Sequence, residues 1–402
     1  MTRKQKYEKG LKKNIGRYYI FRILSKRAYL PLIAIYAVEV ANLSLYEIGI
    51  TIAAAATAQL IIEVPSGYIS DKIGHKNALV MGTIITAFAP IAYVVWPSFL
   101  GVLLGVVIFF VGVAFHSGTM EAFVHETLLE LNREEFIAKV MGRSQSVGLL
   151  GNAVIISLVP LSYVVDIRLP FIIGALLLFI NVLVMLTLVS PIKTRKKVSE
   201  LEVVSFTNLV GALHGKHQYS LFLFLGTATA IAHSVPNFRE IYFQTSGVKI
   251  ELFGIILAGT SIIGALMSSL IHKLEIIEAK VYYLIDALIL TSLSFAIGAT
   301  VSPGLGVVVF IVFAAYGRTR MPLLHSYFLK VSPTRKLKAT YMSLHAFFAS
   351  LSTMWVPIFL GYAVSSFGVY VGYRWFGVGM VLLLAVIYFF HSMRIRYAKQ
   401  QI

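Results

Sequence analysis

Long apolar stretches alternate with short polar clusters along this chain, and each stretch is long enough to cross a hydrocarbon layer as a helix. The pattern predicts spans at about 17–42, 46–70, 76–96, 99–128, from near 136, and 170–190. It predicts a second set at 218–243, 251–272, 280–300, 304–329, 338–364 and 369–393. About twelve spans of roughly 20 residues use most of the chain and leave short loops with no room for a soluble domain. The expected organisation is a basic tail (1–13), a six-helix bundle (14–190), a polar linker (191–217), a second six-helix bundle (218–393) and a short tail (394–402). The two bundles are nearly equal in length, as two repeats would be. The fold class is therefore an all-α membrane protein, twelve transmembrane helices in two pseudo-symmetric six-helix bundles.

Composition agrees. Of 402 residues, 58% are apolar and 13% charged, with a mean hydropathy of +0.81. The net charge of +17 raises nucleic acid as a partner, but the basic residues sit between apolar segments rather than along one polar face, so nucleic-acid binding is not expected. Lys72, Lys76, Arg133, Lys139, Lys280 and the tail and linker lysines fall on one side of the predicted topology, which makes that side cytoplasmic. Both termini then lie inside, in a multi-pass protein of a prokaryotic cytoplasmic membrane. The N-terminus is basic without a small-residue cleavage site, so the first span is expected to be an uncleaved anchor, preceded by a poorly ordered tail beside anionic lipid. There is no cysteine, hence no disulfide, thiolate metal site or cysteine nucleophile.

Between the second and third spans lies Gly67-Tyr68-Ile69-Ser70-Asp71-Lys72-Ile73-Gly74-His75-Lys76. A connection this tight needs glycines where backbones pass closely, and an acid with basic neighbours suits a cytoplasmic surface. The stretch resembles the G-x-x-x-D-[RK]-x-G-[RK]-[RK] loop of the major facilitator superfamily of secondary transporters, with His75 in place of a permanent cation. The resemblance implies that Asp71 caps the eleventh helix, with Lys72, His75 and Lys76 as cationic partners, and that the hinge latches the cytoplasmic side. Gly67 and Gly74 belong to the same motif, and Glu121 or Glu126 is expected to join the latch. Glu63-Val64-Pro65-Ser66-Gly67 and Lys338-Ala339-Thr340-Tyr341-Met342-Ser343-Leu344 look like a bacterial branch of the superfamily without an assignable substrate. His272-Lys273 is the candidate for a degraded second copy of the hinge. The Gly-Pro pair of antiporters is absent from the fifth span, which weakens a drug–proton exchange reading.

Charged groups at bilayer depth turn toward protein or a wet cavity. Arg22 and Lys26 share a face of the first span, and either snorkel from an interfacial helix or line an aqueous cavity. Arg318 and Arg320 in the tenth span point to nearly opposite faces, so at most one faces the cavity comfortably. His116 and His233 sit near mid-depth, as packing residues or as substrate or proton contacts. Glu39 and Asp286 are either proton carriers or neutralising partners of an arginine. Arg239 and Glu240 are expected at an outer surface gate or lipid headgroup contact. Glu121 and His125 lack the second histidine of a zinc helix, and no phosphate-cradling loop is present, so neither a metal, a cofactor nor ATP hydrolysis is expected.

These features point to a non-enzymatic secondary transporter working by alternating access. Its expected partners are a small-molecule substrate, anionic or amphipathic, membrane lipids and protons, with a monomer favoured. The alternatives are a transport-fold scramblase or sensor, and a membrane-embedded lipid-modifying enzyme.

Overall fold

The computed structural model describes residues 3–192, 218–271, 278–300, 302–331 and 338–400. Ten of its helical segments are long and apolar enough to cross a membrane, and two shorter apolar segments, Leu30–Glu39 and Ile250–Gly264, occupy the remaining two of the twelve expected positions. The His272-Lys273 pair and most of the linker lie outside the described residues.

The first span is built from two pieces. Helix α1 (Arg3–Leu24) begins well before the expected start near residue 17, so the tail anticipated as poorly ordered is helical. Its reason is packing: Leu11, Asn14, Tyr18 and Phe21 recur at helical spacing and are buried, while the lysines face away. The helix stops at Leu24, and after a single 3-10 turn over Leu30–Leu32 that contains Pro31, α2 (Ile33–Glu39) completes the crossing. Then follow α3 (Leu45–Ile73) and α4 (His75–Val95). The fourth span divides at Ser117-Gly118 into α5 (Phe99–His116) and α6 (Thr119–Glu130). Helix α7 (Ile137–Leu158) runs into a 3-10 segment at Pro160, and α8 (Leu169–Leu186) ends the first set.

The second set repeats the interruptions of the first and fifth spans, while its counterpart of the fourth is one continuous helix. Helix α9 (Gln218–Ser234) gives way to a 3-10 segment over Val235–Phe238 that contains Pro236, then to α10 (Arg239–Thr245). Helices α11 (Phe253–Ile271), α12 (Ala279–Ala299) and α13 (Pro303–Val331) follow. The eleventh span splits before Pro357 into α14 (Lys338–Thr353) and α15 (Val356–Phe367), and α16 (Val369–Gln400) is last. Four of the expected unbroken spans are thus interrupted at a proline, which removes a backbone donor, and the fourth span at Gly118, whose φ is +70°.

The described residues group into two compact units. One draws on Met1–Asn42, Ala58–Leu201 and Ile250–Ala258, the other on Leu43–Thr57, Glu202–Lys249 and Gly259–Ile402. In the first, α4 packs on α5 and α8, and α1 on α7 and α8. In the second, α12 packs on α13 and α16, and α9 on α14 and α16. The same neighbours recur in both, third span on fourth and sixth, first on fifth and sixth, which is the repeat expressed as packing. Gly82 of α4 and Gly112 of α5 face each other so closely that a Cβ on either would press on the other's carbonyl oxygen. Small residues of this kind let membrane helices cross at backbone contact. Toward the opposite end of α4, Tyr29, Tyr36, Tyr93 and Phe171 form one aromatic cluster, with ring centroids from 4.4 Å (Tyr36–Phe171) to 5.8 Å (Tyr29–Tyr93).

Candidate functional site

The hinge sits between α3 and α4. Gly74 adopts φ +88°, a left-handed conformation that glycine takes without a Cβ penalty, and it reverses the chain in one residue. Gly67 is exposed, and a Cβ there would meet nothing within 4 Å, so close backbone approach is not its role in this structure. Asp71 and Lys72 are exposed in the last turn of α3. His75 is the centre of the local network. Its Nε2 lies 3.4 Å from Glu126 Oε1 of α6, and its Nδ1 shares a hydrogen bond with Ser70 Oγ at 2.9 Å. Thr119 Oγ1 donates to Ser70 Oγ at 3.2 Å, tying the start of α6 to the end of α3. A cleft of about 320 Å³ lies here, walled by Asp71, His75, Lys76, Phe123, Glu126 and Pro191 among others. Of the two acids anticipated at the latch, the fold brings in Glu126, while Glu121 stays exposed on another face of α6.

A second polar centre lies inside the second unit. Arg320 and Asp286 are fully buried and form a two-point ion pair: Nε donates to Oδ1 at 2.7 Å and Nη2 donates to Oδ2. Tyr316 Oη donates to the same Oδ1 at 2.8 Å. Arg320 Nη1 donates to Thr229 Oγ1 of α9 at 3.1 Å, and that hydroxyl is 3.0 Å from His345 Nε2 of α14. One network therefore joins four helices of the unit. A buried charge is tolerated when paired and hydrogen-bonded, and each partner here has both. The Arg318 side chain lies outside the described residues, so of the two arginines it is Arg320 whose surroundings are defined.

The remaining candidates are scattered. His116 Nε2 shares a hydrogen bond with Thr83 Oγ1 at 3.1 Å, and its ring meets Phe21 edge-on at 4.9 Å. His233 is exposed on α9, with Asn237 Nδ2 donating to its carbonyl at 2.8 Å. Glu39 is exposed and accepts from the Tyr163 hydroxyl. Arg22 donates to Gln145 Oε1, and Lys26 is exposed. Arg239 and Glu240, expected at an outer surface, are instead buried and paired at 2.7 Å. They open α10, whose next residues Ile241, Tyr242 and Phe243 are buried as well, so this segment is covered on every side. Two functional-looking contacts gave no signal in the sequence. One is the Thr229–His345 link; the other is Asn14, whose Nδ2 donates to Val189 O at 2.8 Å while its Oδ1 accepts from Val189 N at 3.1 Å.

Comparison with known proteins decides the family. The model of the Major Facilitator Superfamily matches residues 18–336. The chain belongs to the major facilitator superfamily. Its helix-pair repeat is that family's architecture, twelve helices in two bundles. A curated relative, the inner membrane transport protein YajR of Escherichia coli (strain K12), is 28% identical over 127 residues, covering 32% of this chain and 27% of that protein. The chain thus matches about a quarter of that relative's length. Among solved structures, the nucleoside transporter NupG superposes with a TM-score of 0.79 at 15% identity, over 96% of this chain and 99% of NupG. A bacterial homologue of the human lysosomal transporter Spinster gives 0.70 at 15% identity over 97% of each chain. The D-xylose–proton symporter gives 0.63 at 12% identity, over 94% and 95%. At these identities the likeness is one of fold.

Proposed function

We propose that the protein is a secondary transporter that moves a small solute across the membrane by alternating access, with the Gly67–Lys76 hinge as its cytoplasmic latch. The observation that carries this reading is the recurrence of the same helix neighbours in both units, the repeat on which alternating access operates. Membership in a family of transporters supports it. The basic residues on one side of the topology support cytoplasmic termini.

At the latch, Asp71 and Glu126 supply negative charge, and Lys72, His75 and Lys76 supply positive charge. Gly74 places these groups by reversing the chain. Protons are the coupling ion that the polar groups favour. Protonating Asp286 would remove the charge that holds Arg320 and free the guanidinium for a second arrangement, the kind of two-state element that coupling needs. Glu39, His116 and His233 are further stations for a proton path, and a monomer suffices for all these steps.

The test is reconstitution. Purified protein in liposomes is expected to move a solute down an imposed gradient, and Asp71→Asn to lower turnover with little effect on abundance. Flux independent of any solute would favour a scramblase instead, and normal turnover by Asp71→Asn would remove the hinge from the mechanism.

A further inference from the structure

Among the described residues, the buried arginines of the second unit are paired with acids, whereas a cluster of part-exposed cations in the first is not. Arg320 is paired with Asp286 and Arg239 with Glu240. In the first unit, Arg22, Lys26 and Arg27 crowd into six consecutive residues. Arg22 donates to the neutral amide of Gln145, and the Arg27 guanidinium lies over the rings of Phe109 and Phe110, 4.8 Å and 5.2 Å from their centroids. Neither contact supplies a negative charge. Among the described residues the ion pairs are His75–Glu126, Arg239–Glu240 and Arg320–Asp286, none of which includes these three cations.

Depth makes that lack of compensation expensive. Phe109 and Phe110 lie about five residues from the middle of the Phe99–Glu130 span, roughly 8 Å along the helix axis at 1.5 Å per residue. The hydrocarbon core of a bilayer extends about 15 Å either side of its centre, so a span centred in it would carry Arg27 at hydrocarbon depth. A cation at such depth is costly, and cations kept there are normally paired or set in a watery path.

Local backbone adds a second, independent sign. The helical ladder of α1 ends with Ser25 N donating to Phe21 O at 2.8 Å and resumes as a 3-10 turn with Leu30 N donating to Arg27 O at 2.9 Å. Lys26 and Arg27 fall in the unwound interval, with the Lys26 side chain exposed. Unwound backbone at membrane depth is tolerated where it is buried in protein or lines a water-filled cavity, and the exposed Lys26 side chain favours the second here. Arg22 and Arg27 bring planar donor forks suited to an oxyanion, and Lys26 brings a mobile point charge.

We infer that Arg22, Lys26 and Arg27 form a binding site for the carboxylate or phosphate group of a small soluble anion, and that this anion is the transported solute. Only the second clause rests on the transporter reading. The site itself is a property of one unit.

The cysteine-free chain allows a direct test. Ser25→Cys, in nanodiscs of phosphatidylcholine alone, is labelled with an anionic (ethylsulfonate) or a cationic (ethyltrimethylammonium) methanethiosulfonate, each rate normalised to that of a free thiol. Field focusing at the site is expected to favour the anionic reagent by about tenfold. Lys26→Gln or Arg22→Gln on that background should reduce the preference severalfold, while Lys26→Arg keeps it. Inorganic phosphate or citrate should slow labelling by a neutral reagent. Equal normalised rates, failure of every reagent to reach the introduced thiol, or a preference that survives both glutamine variants would overturn the site. Protection by added phosphatidylglycerol but by neither soluble anion would assign the cluster to a lipid headgroup and overturn the solute reading. If liposomes move no solute while the charge preference persists, the transporter reading fails and the anion site stands. If neutral solutes are carried and the preference is absent, the reverse holds.

Discussion

Arg320 and Asp286 close their ion pair across neighbouring helices α13 and α12, with Tyr316 completing the carboxylate's partners. Removing one member leaves the other charged and buried. Asp286→Ala is expected to destabilise the second unit by about 3–5 kcal/mol. Arg320→Ala should cost a comparable amount, and the double variant less than the two together. Thermal unfolding of detergent-purified variants measures the three values, and strict additivity would show that the two groups act independently.

His75 and Glu126 attract as ions only while the imidazole carries its proton. The pair is therefore complete at mildly acid pH and lost as pH rises through the histidine range. Turnover in proteoliposomes should change with pH across that range in the parent. His75→Arg should flatten the profile, because the cation becomes permanent. Glu126→Gln should flatten it too, by removing the partner. A profile unchanged in both variants would separate the latch from this pair.

The two-point grip of Asn14 on Val189 fixes where the chain goes after α8. Asn14→Ala deletes both hydrogen bonds and leaves the Val189 amide and carbonyl to find water, at a cost of about 1–3 kcal/mol confined to that corner. Hydrogen exchange at Val189 is expected to accelerate roughly tenfold to a hundredfold, the kinetic equivalent of that energy. Exchange in α12 and α13 should stay as it was.

Gly82 and Gly112 set the distance between α4 and α5. Gly112→Leu would place a branched side chain against the Gly82 carbonyl and Thr86, in a contact with no room to yield. Overpacking of this kind costs about 1–3 kcal/mol, and a lowered unfolding temperature with preserved helicity by circular dichroism is the expected signature.

The architecture could be read from hydropathy because spans are long, uniform and set by one physical length. What the spans do internally was harder to see. Pro31, Pro160, Pro236 and Pro357 each mark a break, yet an apolar run looks the same whether its helix is continuous or not. At the hinge, motif chemistry identified His75 as the unusual residue, and the fold chose Glu126 over Glu121, since five residues apart they leave α6 in different directions. The Asp286–Arg320 pair was open to arithmetic: both lie at nearly equal distance, within about one helical turn, from the connection between α12 and α13. By contrast, Asn14 and Thr229 gave no signal, because a lone polar residue on an amphipathic or apolar helix does not name its partner.

Helix α3 is divided between the two compact units, with Leu45–Thr57 grouped with the second unit and the hinge end with the first. The borrowed portion is fitted at backbone contact: a Cβ at Gly49 would strike the Pro357 carbonyl, and one at Gly361 the Leu45 carbonyl. Heredity inherits this constraint. Although the two halves share one pattern of helix neighbours, neither half is an interchangeable part, since a donor sequence spliced in at the linker brings a second helix cut for a different partner. Recombination between relatives should therefore succeed when the second and eleventh helices travel together, and fail when the crossover separates them.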